Sequence, residues 1–334
     1  MKPYGNPQAL HEALIKTITP SLRYAGGDVS AWQNKARAEL KRLLGLPVKN
    51  TEDLIETEFT EDRGDYIETR FTFESETGYR PVVNAFLPKT ASPKVVICLQ
   101  GHSKGMHLSL GRPKYPGDDF KISEGRDYAV QAVSRGYAAF ALEQRAFGEN
   151  GGTENGSDCP LPSFTALLMG RTLLGERVFD LTRLIDVIKA HFSDRVDASR
   201  ICVTGNSGGG TVTIYASALD SRITVAAPSC SLSSYFASIV VRKHCPCNYV
   251  PGILNHFDMG DIAALTAPRA MIVVNGVTDP LFPAKEAEEQ VEIAGRVYRE
   301  LGAEGNIVHL LGSAAHRYYP DVIWPEIDKA MNRT

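Results

Sequence analysis

Two short stretches of this 334-residue chain carry the pattern Gly-x-Ser-x-Gly: Gly205-Asn206-Ser207-Gly208-Gly209 and Gly101-His102-Ser103-Lys104-Gly105. The chemistry the pattern serves is attack by a serine hydroxyl. The serine sits on a sharp strand-to-helix turn, glycines flank it because its neighbours come very close, and the helix that follows aims free N–H groups at developing negative charge. Context separates the two matches. Ser207 follows the apolar stretch RICVTG and leads into GGGTVTIYASALD, a run of small residues suited to a helix, whereas Ser103 leads into a Gly/Pro-rich loop. Ser207 is the expected nucleophile. The bland alternative is a glycine-rich turn that binds phosphate or only packs, but the chain has no G-x-x-x-x-G-K-[ST] motif to support nucleotide binding.

A serine hydroxyl needs a base to take its proton, and the base needs a carboxylate to orient it. With this elbow the chain order is serine, then Asp or Glu, then His. Four histidines follow Ser207: His244, His256, His309 and His316. His309 lies inside the strand-like NIVHLLG, while His244 and His256 lie in an irregular stretch. His316 follows the last strand-like segment in GSAAHRYYP, where an open parallel sheet gathers its ligands, and is the expected base. Asp279 stands three residues beyond the end of AMIVVNG and is the expected acid; Asp258 and Asp261 precede that segment, and Asp261 fits an N-cap better.

The oxyanion hole needs two backbone donors. The N–H of Gly208, next after the nucleophile, supplies one, and the loop Gln100-Gly101-His102 after the first buried strand supplies the other, assigned to the N–H of His102. The second Gly-x-Ser-x-Gly thereby acquires a use. The run His244-Cys245-Pro246-Cys247 invites a metal reading, but Cys-x-Cys without a second Cys/His pair is a weak signal, so a buried lid motif or a disulfide is preferred and no metal is assigned. Glu143 and Arg145 could meet substrate; an ion pair between them holding the loop is preferred.

These residues need elements to position them. Residues 8–45 space apolar residues three and four apart and predict two helices, with Asp28 or Ser30 capping the second. Residues 54–87 alternate and predict two or three antiparallel strands turning at Arg63-Gly64 and Thr77-Gly78. Beyond Pro93, short apolar runs at 94–99, 137–143, 200–205, 223–228, 270–276 and 306–312 alternate with helical patterns around 125–135, at 176–192, from 208, at 284–302 and from about 320. Strands alternating with helices imply a parallel sheet covered on both faces. Residues 103–123 and 229–262 break this rhythm as long loops, of the kind that cover a site or stay disordered.

Composition sets the outer bounds. Hydrophobic residues at 43% and charged residues at 22% suffice for a large core. The 36 basic and 39 acidic residues leave a net charge of -3 without charge runs, which gives no reason to expect nucleic acid or a membrane as partner. The N-terminal stretch has no continuous apolar segment and no run suits a membrane span, so a cytoplasmic setting is expected, with Cys98 and Cys202 as core residues.

With the residues in place, the chain resembles the α/β-hydrolase superfamily and, within it, the acetyl xylan esterase and dienelactone hydrolase-related esterases. The resemblance spans residues 75–330 and rests on LQGHSKG, EQRAFGENGG, ERVFDLTRLIDVI, VDASRICVTGNSGGG, HCPCNYVPGIL, APRAMIVVNGVTDPLFP and AAHRYY. It departs from the usual pattern at Gln100-Gly101, where many relatives have His-Gly, and at Glu143-Gln144-Arg145-Ala146, where Asp-x-Arg-Gly is usual. It puts Ser207, Asp279 and His316 on the triad positions and His102 and Gly208 on the oxyanion positions. It implies an α/β fold with a mostly parallel central sheet, helices on both faces and antiparallel strands at the N-terminal side. The domain organisation expected is an N-terminal helical segment, 1–53, packed on a hydrolase domain, 54–334, with a lid-like insertion at 229–262. The implied activity is hydrolysis of a short acyl ester, such as an acetyl ester of a carbohydrate or small molecule, through an acyl-enzyme and without a cofactor. A peptidase or amidase of the same fold and a non-catalytic binding protein are the alternatives. The expected partner is a small-molecule ester, and self-association stays open.

Overall fold

The computed structural model describes residues 5–48 and 51–333. Its nine strands are β1 (Ile55–Asp62), β2 (Tyr66–Phe73), β3 (Val82–Pro88), β4 (Lys94–Leu99), β5 (Ala138–Leu142), β6 (Asp197–Asn206), β7 (Ile223–Ser229), β8 (Ala270–Gly276) and β9 (Ile307–Gly312). They form one sheet in the order β1-β2-β3-β5-β4-β6-β7-β8-β9. The pairs β1–β2, β2–β3 and β3–β5 are antiparallel, and every pair from β5 through β9 is parallel. The helices are α1 (Pro7–Ile15), α2 (Val29–Leu44), α3 (Asp118–Lys121), α4 (Tyr128–Ser134), α5 (Pro160–Leu168), α6 (Leu173–His191), α7 (Gly208–Leu219), α8 (Met259–Ala263), α9 (Ala284–Glu300) and α10 (Pro320–Met331).

The sequence explains this division. Val95–Leu99, Ala138–Leu142 and Ile201–Asn206 are buried on both faces, as continuous apolar runs in a parallel sheet should be. β1, at the sheet's edge, keeps no fully buried residue, and only Ile55 and Phe59 are partly covered. Two large apolar clusters hold most of the core, one centred on α2, α6 and α7 and the other on α4 and α10 with Trp324, Tyr128 and Tyr318, and a small third gathers Ala146, Phe147, Cys159, Leu173 and Cys247. α2 belongs to the first cluster through Ala36, Leu40 and Leu44, and its Gln33 and Arg37 side chains donate to the Ala267, Ala218 and Leu265 carbonyls. Asp28 caps it, accepting from Ala31 N at 3.0 Å.

Three local expectations change. The N-cap before α8 is Asp258; Asp261 occupies the third helical position and accepts the Asp258 amide, so the two carboxylates form a capping box. α5 lies where no helical period was read, because its sequence PLPSFTALL keeps Leu161, Phe164 and Leu168 exposed. Residues 229–262 hold short helical turns and α8, not an extended loop. No helix among the described residues is long and apolar enough to cross a membrane.

Candidate active site

The C-terminal ends of the parallel strands collect the chemistry. His102 follows β4, Glu143 follows β5, Ser207 follows β6, Cys230 follows β7, Asp279 follows β8 and His316 follows β9. Ser207 has φ 53° and ψ -119°, a left-handed backbone that a non-glycine residue adopts only where the surroundings enforce it. The enforcement is visible. Ser207 N donates to Ser229 O at 2.9 Å, and α7 begins at the next residue. The turn can be this tight because α7 runs against β4: a Cβ on Gly209 would lie 2.2 Å from the Leu99 carbonyl oxygen.

Asp279 and His316 are brought together, with Asp279 Oδ2 2.8 Å from His316 Nδ1. The carboxylate is pinned from its other side, since Oδ1 accepts the amides of Leu281 and Phe282 at 2.8 and 3.1 Å. Burial favours its neutral form, but the His316 hydrogen bond and charge, with those amides, prevail and hold the acid below the ordinary aspartate range. Ser229 ties the serine to the histidine: its carbonyl accepts from Ser207 N, and its hydroxyl donates to Arg317 O at 3.4 Å. Among the described residues, the Ser207 hydroxyl makes no hydrogen bond with the His316 ring. Cys230 is close to both, within 4.8 Å of the Asp279 and His316 ligand atoms, yet burial pushes its thiol up to about 12, so it stays protonated.

The loop after β4 abuts the elbow. A Cβ on Gly101 would lie 2.6 Å from the Asn206 carbonyl oxygen and 3.1 Å from Ser207 Cβ, and the His102 ring packs over Gly208. Ser103, the rival serine, is buried and followed by a loop. Gln100 and Glu143 hold this loop from beneath: the Gln100 amide donates to Ser109 Oγ at 2.7 Å, and both Glu143 oxygens accept the Met106 amide. Glu143 does not pair with Arg145. The guanidinium instead binds Asp180 at 2.8 Å and reaches Glu76 and Glu176, a buried network behind the site, because its side chain turns toward α6.

Two features escaped the sequence reading. His244, from the insertion, stands edge-on to Phe282 at 5.3 Å between centroids, and Phe282 stacks on His316 at 5.9 Å. Burial first, then the neighbouring His102 and His316, push the His244 imidazole down to about 4, so it is neutral at neutral pH. His309 instead packs against Asn275 at 3.2 Å, and His256 meets Ser21 and Glu39. The other feature is a four-residue cluster: ligand atoms of His102, Cys159, Cys245 and Cys247 lie within 4.8 Å of one another. All six cysteines are free, so of the two alternatives, lid motif or disulfide, the disulfide is absent, and His244 is not the histidine that joins Cys245 and Cys247. Cys159 was invisible as a partner because 86 residues separate it from Cys245 (245 − 159 = 86).

The comparisons agree with this architecture. The acetyl xylan esterase (AXE1) family model matches residues 114–258. A structure from Bacteroides fragilis NCTC 9343, named for acetyl xylan esterase, superposes with a TM-score of 0.76 at 17% identity, covering 94% of this chain and 83% of that one. The chain has the α/β-hydrolase fold. A glucuronoyl esterase from Solibacter usitatus shares the hydrolase's fold at a TM-score of 0.72 and 16% identity, over 94% of this chain and 97% of that one. A Bacillus subtilis (strain 168) protein carrying the name of a hydrolase, YtaP, is 27% identical over 277 residues, 80% of this chain and 88% of its own. These likenesses mark a carboxylic ester hydrolase, with similarity to the acetyl xylan esterases over residues 114–258.

Proposed function

We propose that the hydrolase cleaves a short acyl ester, such as an acetyl ester of a carbohydrate, with Ser207 as nucleophile, His316 as base and Asp279 as the carboxylate that orients it. The observation that carries this reading is the 2.8 Å Asp279–His316 hydrogen bond; the neighbouring Arg317 carbonyl accepts from the Ser229 hydroxyl, and the Ser229 carbonyl accepts from Ser207 N at the strained turn. His316 takes the Ser207 proton as the hydroxyl attacks the ester carbonyl, and Asp279 stabilises the imidazolium. The N–H groups of His102 and Gly208 receive the oxyanion, and His316 then protonates the leaving alkoxide before water releases the acid. The helix-start geometry at Gly208 and the seat of His102 over it support this assignment.

The short acyl group rests on the likeness of residues 114–258 to the acetyl xylan esterases. In this reading the insertion 229–262 is the lid, with His244 edge-on to Phe282, and α2 buttresses the hydrolase domain through Ala36, Leu40 and Leu44. The six free cysteines favour a reducing compartment such as the cytoplasm.

The test is turnover of p-nitrophenyl acetate against longer acyl esters and an aminoacyl amide. The expected result is acetate ester hydrolysis that Ser207→Ala lowers by at least about 10³-fold while the far-UV circular dichroism is unchanged. Unaltered turnover in that variant, or amide cleavage that exceeds ester cleavage, rejects the reading.

A further inference from the structure

The four residues of the His/Cys cluster come from three separate segments: His102 from the loop after β4, Cys159 from the N-cap of α5, and Cys245 and Cys247 from the insertion. We propose that His102 Nε2 and the thiolates of Cys159, Cys245 and Cys247 bind a zinc ion in a closed tetrahedral site that ties the oxyanion loop to the insertion.

The donor set is the first argument. Three thiolates and one imidazole are the soft, four-ligand shell of a structural zinc site, with no position left for substrate. Distance is the second. Bonds of about 2.3 Å to sulfur and about 2.0 Å to nitrogen put tetrahedral ligand atoms roughly 3.5–3.8 Å apart. Here all four fall within 4.8 Å, and His102 Nε2 stands 3.1 Å from Cys247 Sγ, so small side-chain shifts close the shell. Cys159 and Cys247 are buried, which shields the thiolates from water.

Charge is the third argument and stands independently of the ligands. Arg177 is buried at 2% exposure. Among the described residues it has no carboxylate within 4.0 Å; its guanidinium donates to the Arg145 carbonyl and, at 3.2 Å, to Cys159 Sγ, and lies over the Phe147 ring at 4.4 Å. A buried cation without a counter-charge is costly. Three thiolates around Zn²⁺ carry a net charge of about -1, which Arg177 would neutralise. Binding releases the three thiol protons to solvent, and no oxidation or reduction is involved.

The consequence is positional. The other edge of the His102 ring packs over Gly208, so a metal on Nε2 would hold the backbone of the oxyanion loop against the elbow and fasten the insertion above it.

The direct test is elemental mass spectrometry of the full chain, expressed in zinc-replete medium and purified without chelator or metal-affinity resin. About one zinc per chain is expected, lost in Cys159→Ser and in Cys245→Ser. Cobalt(II) exchanged into the wild-type chain should give thiolate charge-transfer and intense tetrahedral ligand-field bands. A wild-type chain that arrives without metal and takes up neither zinc nor cobalt after reduction overturns the proposal. So does zinc retained in the double variant Cys159→Ser/Cys245→Ser, or a disulfide among the three cysteines in chain alkylated directly from a reducing cytoplasm.

Discussion

The carboxyl of Glu143 shows how one residue can shape the site without touching substrate. It is 2% exposed and accepts the Met106 amide with both oxygens, holding the loop that carries His102. Burial pushes its pKa from 4.5 up to about 7. The folded state therefore binds this proton more tightly than the unfolded chain. Glu143's contribution is most favourable below its unfolded value, falls as pH rises, and is lowest above the folded value, a span of about 3 kcal/mol. Glu143→Gln keeps an acceptor for Met106 and has no charge to bury. Its stability relative to wild type should rise by up to about 3 kcal/mol between about pH 5 and about pH 8.5 in urea denaturation. A difference independent of pH contradicts a buried, protonating carboxyl. At this scale the sequence singled out Ser207, Asp279 and His316 because each stands just beyond an apolar strand. It did not reveal what Glu143, His244 and Cys159 contact, because their surroundings are assembled from distant segments.

The elbow depends on how closely two elements approach. β6, Ser207 and α7 form the sharp turn only because α7 lies against the end of β4, where a Cβ on Gly209 would stand 2.2 Å from Leu99 O and 2.8 Å from Gln100 O. Both obstacles are backbone atoms, and both belong to the strand end that leads into the oxyanion loop. Gly209→Ala should cost about 3 kcal/mol, the upper end for overpacking, and should lower ester turnover by more than about tenfold through displacement of His102. Thermal unfolding and steady-state kinetics check this; a variant with unchanged melting temperature and turnover contradicts the tight approach. The strands and long helices were legible from period and burial alone, as α6 and β4 show. The insertion was not: its Asp258–Asp261 capping box is fixed by contacts with Tyr235 and with Gln290 of α9, and its short turns carry no sustained period.

Across the whole molecule, the order of the chain differs from the order of the site. Strands β4, β6, β8 and β9 deliver His102, Ser207, Asp279 and His316 to one sheet edge, although 214 residues separate the first from the last (316 − 102 = 214). The alternation of strands and helices foretold that edge; the crossing of β4 and β5 in the sheet, and the way the insertion folds back over His102, arise from packing that no local pattern encodes. The account's central claim is that this edge activates the hydroxyl of Ser207 and no other. Labelling with a fluorophosphonate probe, read by intact mass and peptide mapping, tests it most directly. The account predicts a single adduct on Ser207 that disappears in Ser207→Ala. An adduct that persists in that variant, or that maps to Ser103, contradicts it.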